Sequence, residues 1–80
     1  MKLPRDLSGD DLARRLQPLG YEITRQTGSH LRLTGTTPEG SHHVTIPRHP
    51  ALRVGTLNVI LREVARALSI SKDDLMGMIF

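Results

Sequence analysis

Hydrophobic and polar positions along the chain switch between a helical and a strand period, and each switch marks an element. Ser8-Gly9-Asp10-Asp11 has the S-x-x-D form of a capping box, and Leu7 before it is placed to pack on Leu12 as a hydrophobic staple. A helix starts there. Leu12, Leu16 and Leu19 recur at helical spacing, but Pro18 has no N–H and disfavours helical geometry at Gln17, so the regular helix is expected to end near Leu16 or Gln17, with Gly20 completing the turn. Tyr21-Glu22-Ile23-Thr24-Arg25 alternates as a first strand and stops at the turn signal Thr27-Gly28. In the second strand, His30-Leu31-Arg32-Leu33-Thr34, the two leucines point one way while His30, Arg32 and Thr34 point the other. Gly35 to Gly40 reads as a turn by composition, and His43-Val44-Thr45-Ile46 resumes the alternation until Pro47 stops it.

These runs predict an antiparallel meander. Val44, Ile46, Leu31, Leu33, Tyr21 and Ile23 belong to the side that helices cover, and His43 and Thr45 share the open side with His30 and Arg32. After the loop Arg48-His49-Pro50, the residues Leu57, Ile60, Leu61, Val64 and Leu68 describe an amphipathic helix with Asn58, Arg62 and Arg66 opposite, starting near Gly55-Thr56. Ser71-Lys72-Asp73-Asp74 repeats the capping box and Ile70 with Leu75 the staple, so a last short helix carries Leu75, Met76 and Ile79 toward the core or a partner. The expected fold class is α+β: helix, three strands, helix, short terminal helix.

Length narrows this further. Eighty residues fill one hydrophobic core and not two, so a single domain over residues 1–80, with one site, is expected. With one Tyr, one Phe and no Trp, the core is built from Leu, Ile and Val; it is small, and a partner that covers exposed surface would add to its stability by mass action. The absence of cysteine excludes disulfides, thiolate nucleophiles and cysteine-type zinc sites. Met1 to Asp6 lacks the apolar core of a signal peptide, and no run is long enough to span a bilayer, so a soluble, cytoplasmic protein is expected. Eleven Lys and Arg against eight Asp and Glu leave a net charge of +3. Such a balance attracts polyanions by counterion release, although on charge alone a solvated surface is the commoner reading.

Among the polar residues, His30 is the foremost candidate for chemistry, because imidazole both takes and gives a proton near neutral pH. It follows a Gly-Ser turn, opens a strand and points away from the core; taken alone, it reads equally as an ordinary surface histidine. Cleavage of RNA needs a base for the 2′-hydroxyl, an acid for the departing 5′-oxygen and positive charge beside the phosphate. Arg32, on the same strand face, is placed to hold that phosphate. Ser29 is a supporting candidate, through the substrate or through the turn. The start of the second long helix, at Thr56 with Arg53 just before it, presents backbone N–H groups to an anion. His42, His43 and His49 do not add up to a metal site with His30, because His42 and His43 face opposite ways and no H-x-x-x-H helical pair exists. No phosphate-binding glycine loop, dinucleotide fingerprint or nucleophile elbow is present, so no cofactor is expected.

Gly20-Tyr21 after a helix, Gly28-Ser29-His30, Val44-Thr45-Ile46-Pro47-Arg48-His49, Gly55-Thr56-Leu57 and Ile60-Leu61-Arg62 occur in the order and spacing that resembles the HicA (YcfA-like) toxin family. The resemblance covers nearly the whole chain; Pro18, in the first helix, departs from it. It implies a double-stranded-RNA-binding-domain-like α-β-β-β-α fold with the helices on one face of the sheet. It also implies metal-independent mRNA interferase activity, a catalytic histidine at His30, and a HicB-type antitoxin that binds an otherwise monomeric toxin and blocks its site. The remaining candidates, Ser29, Arg32, His43, Thr45, Arg53 and Thr56, would then grip RNA or support His30. A non-catalytic RNA-binding module of the same fold is the alternative, and a decayed toxin kept for protein contacts is a third.

Overall fold

The computed structural model describes residues 3–80. Helix α1 spans Gly9–Leu16 and starts where the capping residues require: the Ser8 hydroxyl accepts from Asp11 N at 3.0 Å. A bond of this kind is worth about 1 kcal/mol at a helix start. Pro18 does not simply end the helix but tightens it into a 3₁₀ turn, Gln17–Leu19, which Gly20 closes in the left-handed region at φ 94°. Strands β1 (Tyr21–Gln26), β2 (His30–Thr37) and β3 (Gly40–Pro47) follow, then α2 (Val54–Ala67) and α3 (Lys72–Ile79). The sheet order is β1-β2-β3, antiparallel throughout.

The three α-helices pack on one face of this sheet. Leu12 and Leu16 of α1, Leu57, Leu61 and Val64 of α2, and Leu75 and Met76 of α3 close over Tyr21, Leu31, Leu33, Val44 and Ile46, all buried. The last helix therefore turns to the core: Ser71 caps it by accepting from Asp74 N, and Arg15 ties down its end by donating to Ile79 O at 2.7 Å. The α-β-β-β-α arrangement with a short terminal helix is the one expected. No described helix is long and apolar enough to cross a membrane.

The structure departs from expectation at three elements. Ile23 lies opposite Leu33, on the helix side, yet stays 40% exposed. β1 is an edge strand whose far half runs beyond the cover of the helices; only Tyr21, at its start, is buried. The segment Gly35 to Gly40, expected as a turn, is mostly strand: β2 continues to Thr37, which pairs with Gly40, leaving Pro38 and Glu39 as the hairpin tip. Gly35 is there for packing, since a Cβ at that position would come within 2.7 Å of the Tyr21 ring. Finally, α2 begins at Val54, with Arg53 at its N-cap and no side chain capping it.

Candidate active site

β2 begins at His30, and the strand alternation turns His30, Arg32 and Thr34 outward, away from the helices. The register sets Arg32 opposite Thr45 and Thr34 opposite His43, so the structure brings His30, Arg32, His43 and Thr45 onto one exposed sheet face.

The loop before His30 is held by local bonds that follow from its residue types. Thr27 N donates to His30 O at 2.9 Å, and His30 N donates to the Thr27 hydroxyl at 3.0 Å, leaving Gly28 and Ser29 as the tip. The Ser29 hydroxyl lies 2.9 Å from His30 Nδ1. A hydroxyl donates to a neutral ring nitrogen and accepts from a protonated one, so Ser29 orients the imidazole in either state and leaves Nε2 to the solvent side. His43 is held likewise, its Nδ1 2.8 Å from the Thr34 hydroxyl, which is itself 2.8 Å from that of Thr24. Four residues of strand separate the level of His43 from that of His30, about 13 Å, too far for both rings to serve one phosphate.

Longer-range contacts fasten the same loop from the other side. Arg48 N donates to Ser29 O at 2.8 Å, and its guanidinium donates to Thr27 O at 3.4 Å while forming a bidentate pair with Asp10 of α1, 3.1 and 3.3 Å. Gly9 completes the junction: its N–H donates to His49 O, and its Cα approaches β3 so closely that a Cβ would lie 1.9 Å from Pro47 O. Sequence reasoning missed Thr27, Arg48 and Asp10. A threonine before Gly-Ser is a turn signal that points to Thr27, but Arg48 meets partners 21 and 38 residues away, which no local pattern reveals.

Thr56 joins a second part of the picture. With His43, Thr45, Pro47, Val59 and Glu63 it lines an open groove of about 470 Å³ between the outer edge of β3 and α2. Arg53 is exposed at the start of α2 and hydrogen-bonds to none of the strand residues. At the other end of the sheet, the Tyr21 hydroxyl meets His42 Nδ1 at 2.8 Å, and burial pushes the phenol above its ordinary value, so it stays protonated. No group of three or more His, Asp or Glu able to hold a metal ion occurs among the described residues.

No curated protein and no solved structure matches the chain. A family model described as the HicA toxin of bacterial toxin-antitoxin matches residues 9–65, from the start of α1 to the last turn of α2, and so takes in Gly28-Ser29-His30 and both sides of the groove. On that match, which spans well over half of the sequence, the chain belongs to the HicA toxin family.

Proposed function

We propose that this HicA-family toxin is an endoribonuclease that cuts mRNA on the open face of its sheet, with His30 as the catalytic residue. The observation that carries the reading is the exposed His30 imidazole, oriented by Ser29 at 2.9 Å, two residues from Arg32 on the same strand face. The ring takes the proton of the attacking 2′-hydroxyl and gives one to the 5′-oxygen as the phosphorus–oxygen bond breaks. Arg32 offsets the negative charge that gathers on the phosphate. Every step uses groups of the chain and of RNA. Arg53 and Thr56, at the start of α2, guide the RNA further from the reaction centre, with His43 and Thr45 along the groove.

A toxin of this kind is cytoplasmic and is held inactive by its antitoxin. The partner is of the HicB type, and it silences the toxin by covering the open face around His30. Val54 and Val59, 61% and 53% exposed on α2, give such a protein partner apolar anchorage beside the groove.

The test uses two oligonucleotides of one sequence, one all-RNA and one with single 2′-deoxy substitutions. The nuclease reading expects the first to be cut and the second to be spared wherever the nucleophilic hydroxyl is missing, and expects growth arrest on expression that a co-expressed antitoxin relieves. RNA that is bound with steep salt dependence but never cut would replace the nuclease with the binding module, a reading to which the net charge of +3 already lends itself.

A further inference from the structure

A bulge in β1 produces an arrangement that the alternation of the sequence does not contain. Regular pairing runs from Tyr21 opposite Gly35 to Ile23 opposite Leu33, then slips by one residue at Thr24, so that Arg25 comes to lie directly opposite Arg32. Without the slip, Arg25 would share the face of Ile23; with it, Arg25 joins Arg32 and His30 on the open face. Directly opposed residues have Cβ atoms about 4.5–5.5 Å apart, and like charges at that separation repel. The ion pairs among the described residues are Arg14 with Asp11 and Arg48 with Asp10, so neither Arg25 nor Arg32 has a carboxylate partner. Glu22, opposite Thr34, is on the same face and pairs with neither.

We propose that Arg25 and Arg32 form a two-guanidinium clamp that takes a backbone phosphate of single-stranded RNA, and that the bulge at Thr24 exists in the structure as the device that builds it. An anion between the two guanidiniums turns their repulsion into a bidentate, charge-assisted seat. The clamp lies about 7 Å along β2 from His30, with the Thr34-His43 pair a similar step beyond, so the chain of contacts His30, Arg32 with Arg25, then His43 marks a path for RNA across the strands. The face carries no Phe, Tyr or Trp, and the planar groups it offers to unstacked bases are these imidazoles and guanidiniums. Duplex RNA, recognised through its minor groove, has no need of such a row. The inference rests on the nuclease reading for its biology, but binding tests it separately from cleavage.

The experiment measures binding of a fluorescently labelled single-stranded RNA to the His30→Ala protein, so that no cleavage intervenes, over a series of salt concentrations. Arg25→Ala is expected to weaken binding about 5- to 10-fold and to reduce the slope of log affinity against log salt by about 0.7, the value for one phosphate contact on a single strand. Arg25→Ala with Arg32→Ala is expected to lose less than the product of the two single losses, because one guanidinium alone cannot bridge. Arg25→Glu is expected to raise the melting temperature, since it replaces a repulsion by an attraction, while weakening binding further. Arg14→Ala, on the helix side, serves as the control with unchanged binding. An Arg25→Ala protein that folds and binds with the affinity and salt slope of its parent overturns the clamp, whether or not the parent cuts RNA. If the clamp behaves as expected and the protein with His30 intact cuts nothing, the clamp stands and the nuclease reading falls.

Discussion

At the scale of single residues, function depends on how side chains are held as much as on which they are. Ser29 orients His30 through one hydrogen bond. Its removal in Ser29→Ala is expected to lower kcat about 2- to 10-fold with KM nearly unchanged, the range that one net hydrogen bond of about 0.5–1.5 kcal/mol provides; steady-state kinetics on a short RNA checks it. Tyr21 gives a second test, this time on stability. Its buried phenol holds its proton more tightly than it does in the unfolded chain, whose value is near 10.0. The sign follows: the stabilisation is whole below about pH 10 and is lost as pH rises toward the folded value. Alkaline titration of the melting temperature should fall above that pH, and Tyr21→Phe should flatten this fall, at the cost of the bond to His42. Parity along β2 and β3 was sufficient to place His30, Arg32, His43 and Thr45 on one face, because side-chain direction is a local property of a strand. Arg25 and Arg48 were out of reach for the opposite reason: Arg25 depends on a slip in register, and Arg48 on partners brought near only by the fold.

At the scale of elements, the junction of α1, the end of β3 and the His30 loop acts as one unit. Arg48→Ala removes the pair with Asp10 and the bond to Thr27 O. Because Arg48 is 29% and Asp10 51% exposed, little stability is at stake, well under about 1 kcal/mol after solvent screening. The expected loss is in kcat, with RNA binding retained, and Arg48→Lys is not expected to restore it because a lysine cannot span both carboxylate oxygens. Two glycines test the packing of the elements more severely. Gly35→Ala drives a methyl into the Tyr21 ring, and Gly9→Ala drives one into Pro47 O, where backbone must move. Overpacking of this kind costs about 1–3 kcal/mol, and since about 1 kcal/mol corresponds to 4–8 °C in Tm for a domain of this size, thermal melts should place Gly9→Ala at the larger end. The capping serines, the helical stripes and the strand cores were legible because each is written in residues three or four, or two, apart. Gly35 misled for the same reason: a glycine beside threonines and a proline has the composition of a turn, and only the Tyr21 ring across the sheet explains it as strand. Ile23 misled because alternation states which face a side chain takes and not whether anything covers it.

At the scale of the whole molecule, the helices take one side of the sheet and leave the other free to meet a polyanion. The net charge of +3 is carried without an aromatic platform, so phosphate contacts should dominate affinity and make it fall steeply with salt. The α+β class and the order of elements could be read from the chain, since they sum local patterns. The proposed cleavage nevertheless rests on one side chain, His30. Its most direct test is the single-turnover cleavage rate of His30→Ala against the parent protein on the same RNA, with folding checked by melting temperature and RNA binding by anisotropy. A loss of about 10²- to 10⁴-fold, with fold and binding intact, is the result predicted for the residue that moves the proton. Cleavage at the parent rate by His30→Ala would contradict it.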